Sequence, residues 1–505
     1  MKFNFFNTKR QLTTNHEGAK AYIMSPEMEL YTAVVTTGLN DSFYESGNNR
    51  LERIKVLIER CNPEFIARLA IYARTHMNLR SIPMVLSVEL AKKISGDSIV
   101  SKTVNKVILR ADEITELLAY YQIANERTAT KKLNKLSKQI QKGLADSFNR
   151  FDEYQFAKYN RNTDVKLKDA LFLVHPKAKD ADQQVIFNKI ASDSLATPYT
   201  WETELSALGK NRFENESARA VAFTRKWEEM IESKKLGYMA LLRNLRNILE
   251  ANVSGNHIEM ICGYLSNENA VLSSKQLPFR FLSAYREIKN MKSKYASAIL
   301  DALEDAVMCS AKNIKGFGFN TSVVIACDVS GSMQHAISPK SSIFLYDIGL
   351  MLAMLLQSQC KNVVSGMFGD TWKTINMPKR NVLANVQEYY RREGEVGYST
   401  NGHLVIESLI RKREQVDKIM LFTDTQMWNS NNTDHSFAKS WSNYKKIAPD
   451  AKLYLFDLSG YGKQPLNIQQ NDVYLLAGWS DKIFDILSSI DNTEFALEKI
   501  NQIML

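Results

Sequence analysis

From about Met24 to Cys309 the apolar positions recur at helical spacing. In "LERIKVLIERC" the residues Leu51, Ile54, Leu57 and Ile58 stand at i, i+3, i+6 and i+7, one face of a helix. "NPEFIARLAIYARTHM" opens with Asn62 as N-cap and Pro63 at the first helical position, and its Phe65, Leu69, Tyr72 and Ala73 share a face. "RSIPMVLSVELAKKI" and "GYMALLRNLRNILEANV" repeat the pattern. Short amphipathic helices in succession, with few strand signals between them, predict stacked antiparallel helix pairs of the helical-solenoid kind. No strict period is visible in the residues, so any repetition is one of structure.

Near Gly316-Phe317-Gly318 the pattern changes. Continuously apolar, β-branched runs now alternate with helical stretches. "SVVIACD" precedes a helix around Phe344–Ser358, then comes "NVVSGMFGD". "DKIMLFTD" follows the helix "GHLVIESLIRKR", and "AKLYLFDLSG" and "DVYLLAGWS" come next, before "DKIFDILSSI". Strands without polar alternation, separated by helices, predict a parallel sheet covered on both faces. In such sheets a site lies beyond the carboxyl ends of the strands. Asp328 stands at one such end and Asp424 at another.

The loop after the first of these strands reads Asp328-x-Ser330-x-Ser332 around Gly331, which is expected to let the backbone turn closely. A carboxylate and two hydroxyls in a tight loop are hard oxygen donors, suited to Mg²⁺ or another divalent cation that keeps some water. Two further junctions supply matching donors, Thr400 in "GYSTNG" and Asp424 in "MLFTD". Asp and Ser after a strand also commonly cap the next helix. Three separate loops presenting this chemistry at the same end of the sheet favour a metal site.

Composition narrows the partners. The chain has 505 residues, enough for two or three domains, and is 45% hydrophobic and 24% charged, as soluble globular proteins are. Its five cysteines are scattered and form no C-x-x-C pair. With no secretory pattern and no apolar run near the roughly 20 residues of a membrane span, a cytoplasmic protein with no membrane partner is expected. The net charge is +10 and the pI about 9.0. Nucleic acid, an anionic surface or plain basicity all fit that total. Distribution says more, because Arg127–Lys179 holds 13 Lys/Arg against 5 Asp/Glu, the clustering that phosphate neutralisation needs. Tyr154, Phe156 and Tyr159 are interleaved with these charges and available for base stacking. "TKKLNKLSKQIQK" reads equally well as a solvated helix face with Leu133, Leu136 and Ile140 turned inward. No P-loop, G-x-S-x-G, H-E-x-x-H or dinucleotide loop is present, and the expectation is a protein that is not an enzyme.

"DVSGSM", the Thr400 loop and "FTDTQ" together resemble a von Willebrand factor A domain with its metal-ion-dependent adhesion site. The resemblance places Asp328, Ser330, Ser332, Thr400 and Asp424 at the five motif positions. It also implies an ion whose shell a partner's carboxylate completes. "ELYTAVVTTGLNDSFYESGNNRLERI", "PEFIARLAIYARTHMNLRSIPMVLSVELAK", "GYMALLRNLRNI" and "LPFRFLSAYREI" resemble the TROVE module of the Ro autoantigen family. The implied fold is multidomain. An all-α ring of HEAT-like repeats spans residues 21–315 after an extension over 1–20, and an α/β, Rossmann-like A domain spans 316–505. The implied function is RNA binding. Small non-coding Y RNA would bind the outer surface, and single-stranded 3′ ends of misfolded or decaying RNA would enter the hole. RNA quality control and decay would proceed with an exoribonuclease such as polynucleotide phosphorylase. Lys158, Arg161 and His175 match the family's RNA-contacting positions, the arginine standing one place away from the pattern. Lys132, Lys135, Lys166 and Lys168 add charge to that surface. Two alternatives are an Mg²⁺-dependent protein scaffold of the adhesion type without RNA, and a metal-dependent nuclease. The second suits a site with only two carboxylates poorly.

Overall fold

A computed structural model describes residues 12–16, 20–37, 45–126, 136–312, 317, 320–338, 341–427, 436–466, 472–484 and 495–505. They divide into two compact units that interleave along the chain. One takes Met1–Leu57 with Ala311–Lys499, the other Ile58–Ser310 with Ile500–Leu505. Residues 20–57, which the sequence places at the start of the helical module, therefore group with the sheet.

In the second unit the described elements are helices, each short because its ends are written into the sequence. Pro63–Thr75 begins where the Asn62 side chain accepts the Glu64 N–H at 2.8 Å, with proline in the first turn. Its buried face packs on the next helix, Ser81–Lys93, and on the next but one, Ser98–Val107. Ser81–Lys93 in turn meets Asp112–Ala124, and Ser98–Val107 meets Lys138–Phe148. Contacts to the following helix and the one beyond it are the packing of a helical-repeat stack. A buried ion pair locks this end. Arg74 reaches Glu113 at 2.8 Å and the Val107 carbonyl at 3.1 Å, while Glu113 accepts the N–H groups of Leu109 and Arg110. The chain's last residues return to this unit, where Arg68 and Lys106 donate to the Asn501 and Met504 carbonyls.

The first unit is built on a six-stranded sheet of β3 (Ser322–Asp328), β4 (Asn362–Phe368), β5 (Trp372–Thr374), β6 (Lys418–Thr423), β7 (Lys452–Asp457) and β9 (Val473–Ala477). Their order across the sheet is β5-β4-β3-β6-β7-β9. All pairs are parallel except β5 on β4. The helix Leu345–Gln359 is buried along nearly its whole length, as expected of a helix packed against a sheet in the core. After β3 the chain moves out to β4 and β5, then returns to the other side of β3 as β6. That reversal opens a crevice between the carboxyl ends of β3 and β6, where Asp328 and Asp424 stand.

A small sheet joins β1 (Leu12–Thr14), β2 (Lys20–Ile23) and β8 (Lys463–Gln464). After it comes the helix Pro26–Val35, whose Tyr31 hydroxyl donates to the Ala477 carbonyl at 3.2 Å.

Candidate metal centre and nucleic-acid interface

At the sheet crevice, Asp328 Oδ1 accepts the Ser330 N–H at 2.9 Å and Oδ2 accepts the Thr423 hydroxyl at 2.6 Å. The Ser330 and Ser332 hydroxyls lie 3.3 Å apart. Asp424 Oδ1 accepts the Gln426 N–H at 3.0 Å, whereas its Oδ2 is buried with no hydrogen-bond partner among the described residues. Thr400 sits on a neighbouring loop that the Gly331 N–H ties to the first through the Tyr398 carbonyl at 3.1 Å. The five side chains are all buried, none more than 5% exposed.

Burial pushes both carboxyls up from the usual range. Asp328's charge adds to the rise at Asp424, and the nearby Ser332 hydroxyl opposes it. Neither carboxylate has an ion-pair partner among the described residues. No group of three or more His, Cys, Asp or Glu side chains converges among those residues either. An ion held here would rely on hydroxyls and water beside two carboxylates. This hard, oxygen-only set, with an orphaned carboxylate oxygen and two unneutralised like charges, fits Mg²⁺ or a similar cation. Asp328, Ser330, Ser332, Thr400 and Asp424 are the residues that would hold it.

The expected role of Gly331 is not borne out. A Cβ there would meet nothing within 4 Å, and its φ is not positive. A more demanding glycine stands in a second Asp-x-Ser-Gly. Asp328-Val-Ser-Gly after β3 is echoed by Asp457-Leu-Ser-Gly after β7. Asp457 Oδ1 likewise accepts the N–H groups of Ser459 and Gly460, and burial pushes its carboxyl up to about 6. Gly460, however, has φ +63, and a Cβ there would lie 2.4 Å from Thr36 Oγ1 and 2.5 Å from the Thr32 carbonyl. The N-terminal helix therefore covers this copy, and Arg50 and Arg53 provide charge beside it. Gly460→Ala is expected to destabilise the protein by about 1–3 kcal/mol through strain and clash, read as a fall in melting temperature. An unchanged melting temperature would show that the helix does not press on this loop.

Backbone strain lies beside the Asp328–Asp424 crevice. Thr425, just after Asp424, has φ +65, unusual for a β-branched residue. It is held there by its N–H on Thr423 Oγ1 and its hydroxyl on the Lys463 carbonyl, both at 3.1 Å. The N-terminal segment braces the same loop, with Asn15 Nδ2 on the Met427 carbonyl at 2.8 Å and the His16 N–H on Gln426 Oε1 at 2.9 Å.

The helical unit holds a different kind of site. A cavity of about 750 Å³ is lined by Arg80, Arg110, Arg161, Arg243, Arg246 and Arg280, against two carboxylates, Asp112 and Glu287. Arg80 and Arg110 pair with Asp112 at 3.0 and 2.9 Å, and Arg246 with Glu287 at 3.2 Å. Arg161, Arg243 and Arg280 make no ion pair among the described residues. Partial burial, then the Arg243 charge beside it, lowers the pKa of Arg280. Unpaired guanidiniums crowded in a concavity amount to an anion site.

Of the residues expected to meet RNA, Lys158 and Arg161 reach this region. Both line a smaller adjoining cavity, and Arg161 lines the larger as well. His175 is exposed at the carboxyl end of the helix Leu167–Val174, in the left-handed conformation at φ 50, and lines neither cavity. Nor do Lys166, which is exposed, and Lys168, which is paired with Asp193 at 2.7 Å. Lys132 and Lys135 lie outside the described residues. Phe156 is a correction. It is fully buried, with Phe148 and Phe151 each 5.7 Å away, so it is a core residue and has no face to offer a base. Leu136 and Ile140 are buried, as the solvated-face reading requires, but the helix begins only at Lys138, so Leu136 precedes it, and Leu133 lies outside the described residues.

A helical-repeat unit with an arginine-lined cavity, joined in one chain to a parallel-sheet unit with a hydroxyl-rich loop at its switch point, is the domain organisation of a Ro-type protein. The TROVE domain matches residues 7–220 and 193–315, and the Ro60 vWA domain matches residues 322–489. The chain belongs to the TROVE family. In an alignment 313 positions long that covers 46% of this chain, it is 26% identical to the rat telomerase protein component 1, and the mouse protein is similar at 25% over 314 positions. The match spans 11% of each of those relatives. The fold is also that of the Deinococcus radiodurans RO (RSR) protein, at a TM-score of 0.58 and 16% identity, covering 94% of this chain and all of that one. No described helix is long and apolar enough to cross a membrane.

Proposed function

We propose that the arginine-lined cavity seats a single-stranded 3′ end of RNA, while the basic surface carrying Lys158, Arg161 and His175 binds a structured small RNA of the Y type. The observation that carries this reading is the set of three guanidiniums, Arg161, Arg243 and Arg280, that share one cavity without carboxylate partners. Positive charge brought together without neutralisation is costly unless an anion completes it, and a polyanionic strand threads a cavity more readily than a folded duplex does. The metal loop, remote in chemistry from phosphate recognition, serves a protein partner whose carboxylate reaches the ion. An exoribonuclease acting on the captured end is the partner class this division of labour suits, and RNA decay the process.

Titrating a labelled single-stranded RNA at several salt concentrations tests the reading. The slope of log K against log salt is expected near −2, from about −0.7 per neutralised phosphate and three unpaired arginines. A flat plot would sink it. The salt-dependent affinity should also exceed that for a blunt duplex of equal length. Equal affinity would move the site off the cavity.

A further inference from the structure

The larger cavity does not end at its arginines. Arg110, Arg161, Met239 and Arg243 also line a second cavity of about 220 Å³. There the wall changes from guanidinium to aromatic ring, with Tyr154, Tyr159, Tyr199 and Trp201 along it.

These rings are held in place without being buried. The Tyr154 hydroxyl donates to the Tyr199 carbonyl at 3.2 Å, although Tyr154 is 42% exposed. Trp201 opens a helix that Thr200 caps, and it stacks on the buried Trp227 with centroids 6.4 Å apart and planes at 18°. Cations lie over the rings. The Arg110 guanidinium is 4.3 Å from the Tyr159 centroid, Lys158 is 5.6 and 5.7 Å from those of Tyr154 and Tyr159, and Lys235 is 5.1 Å from that of Tyr199. Leu236 and Met239 add apolar surface, and Glu202 is the one acidic residue in the lining.

Rings beside cations suit a flat, electron-rich heterocycle that carries negative charge on one side. An apolar ligand would bury the lysine charge, and an acidic peptide would leave the rings unused. We propose that the smaller cavity is a subsite for one nucleotide. Its base stacks among Tyr154, Tyr159 and Trp201, and its phosphate rests on Arg110, Arg161 and Arg243 in the shared wall. Glu202 is placed to accept from a base amino group. The inference rests on the reading of the larger cavity as the seat of an RNA strand, and it adds that one base of that strand leaves the stack and enters a pocket of its own. The same chemistry would take a free mononucleotide, so the test separates the two sources.

The full chain is titrated with a short labelled single-stranded RNA in which one nucleotide at a time is made abasic. AMP and UMP are titrated separately. Losing a stacked base costs roughly five- to hundredfold in affinity, so one position of the scan should show such a loss while its neighbours change little. In Tyr154→Leu and Trp201→Leu that position should become unremarkable, with the salt slope kept. Mononucleotide binding that the same variants abolish would also support the subsite, with a free nucleotide as its ligand. RNA that binds with the expected salt slope but has no special position, together with no mononucleotide binding, overturns the subsite and leaves the larger cavity's role standing. A special position that both variants leave intact overturns it as well. RNA that does not bind, or binds without salt dependence, overturns both. The abasic scan of the unmodified protein decides the matter even if a variant folds poorly.

Discussion

Replacing Arg161, Arg243 and Arg280 together by glutamate is expected to weaken single-stranded RNA binding by roughly a thousandfold or more. A hydrogen bond to a charged group contributes about 1.5–3 kcal/mol, so three at the low end already give about 4.5 kcal/mol. Reversing the sign adds repulsion to that loss. None of the three makes an ion pair among the described residues, and all are exposed, so the change removes no internal bridge and should leave the melting temperature nearly unaltered. Arg246→Glu is the informative contrast. Arg246 lines the same cavity but already faces Glu287 at 3.2 Å and Glu250 at 3.7 Å. Its charge is partly spent, and its reversal should cost no more than about tenfold in the same titration. If the triple variant binds RNA within tenfold of the unmodified protein, the cavity is not where the strand sits.

The two halves of the chain were unequally legible in the sequence. The strands were plain because a parallel sheet covered on both faces leaves runs such as "SVVIACD" and "KIMLFT" without polar alternation, and each became a strand ending where its aspartate begins the loop. Helices such as Pro63–Thr75 were equally plain, since cap, proline and apolar face agree. The arginine cavity was not, because its six guanidiniums come from positions as far apart as Arg80 and Arg280, and no local pattern joins them. One trace was present. Arg243 and Arg246 are three apart on the polar side of "GYMALLRNLRNI", and Arg280 lies in "LPFRFLSAYREI", both stretches that carried the family resemblance. Aromatic spacing misled at Phe156, where a seven-residue helix is too short for periodicity to separate its buried ring from the accessible rings of Tyr154 and Tyr159. The helix Pro26–Val35 is apolar nearly all round, which marks it as buried without saying against what. It groups with the sheet unit, and the repeated Asp-x-Ser-Gly beneath it carries no mark in the sequence of being covered. Sequence shows that the two loops match, but only the fold shows that one of them is covered.

Asp328→Asn is expected to abolish the response to Mg²⁺ while leaving RNA affinity within about twofold of the unmodified protein. The substitution removes one of the two charges in the crevice and keeps the side chain's shape. Its oxygen can still accept the Ser330 N–H, and its amide can donate to the Thr423 hydroxyl, which then turns to accept. With no ion present, Asp328 and Asp424 are two buried carboxylates without a cation between them, burial raises the cost of ionising both, and the charge of Asp328 adds to it at Asp424. Removing one relieves that cost, so in a chelator the variant should melt at or above the temperature of the unmodified protein. Adding Mg²⁺ should then separate them. A ligand at a hundred times its dissociation constant stabilises the folded state by about 2.7 kcal/mol, a shift the unmodified protein should show and the variant should lose. RNA affinity should hold because the donors that would meet phosphate are arginines of the other unit. The loss would appear instead in capture of a protein partner, whose carboxylate has no ion to reach. Thermal melts with and without Mg²⁺, set beside the RNA titration, read both halves. An Mg²⁺ shift that survives in Asp328→Asn would place the ion elsewhere, and RNA affinity that falls as far as in the arginine variant would end the division of labour between the two units.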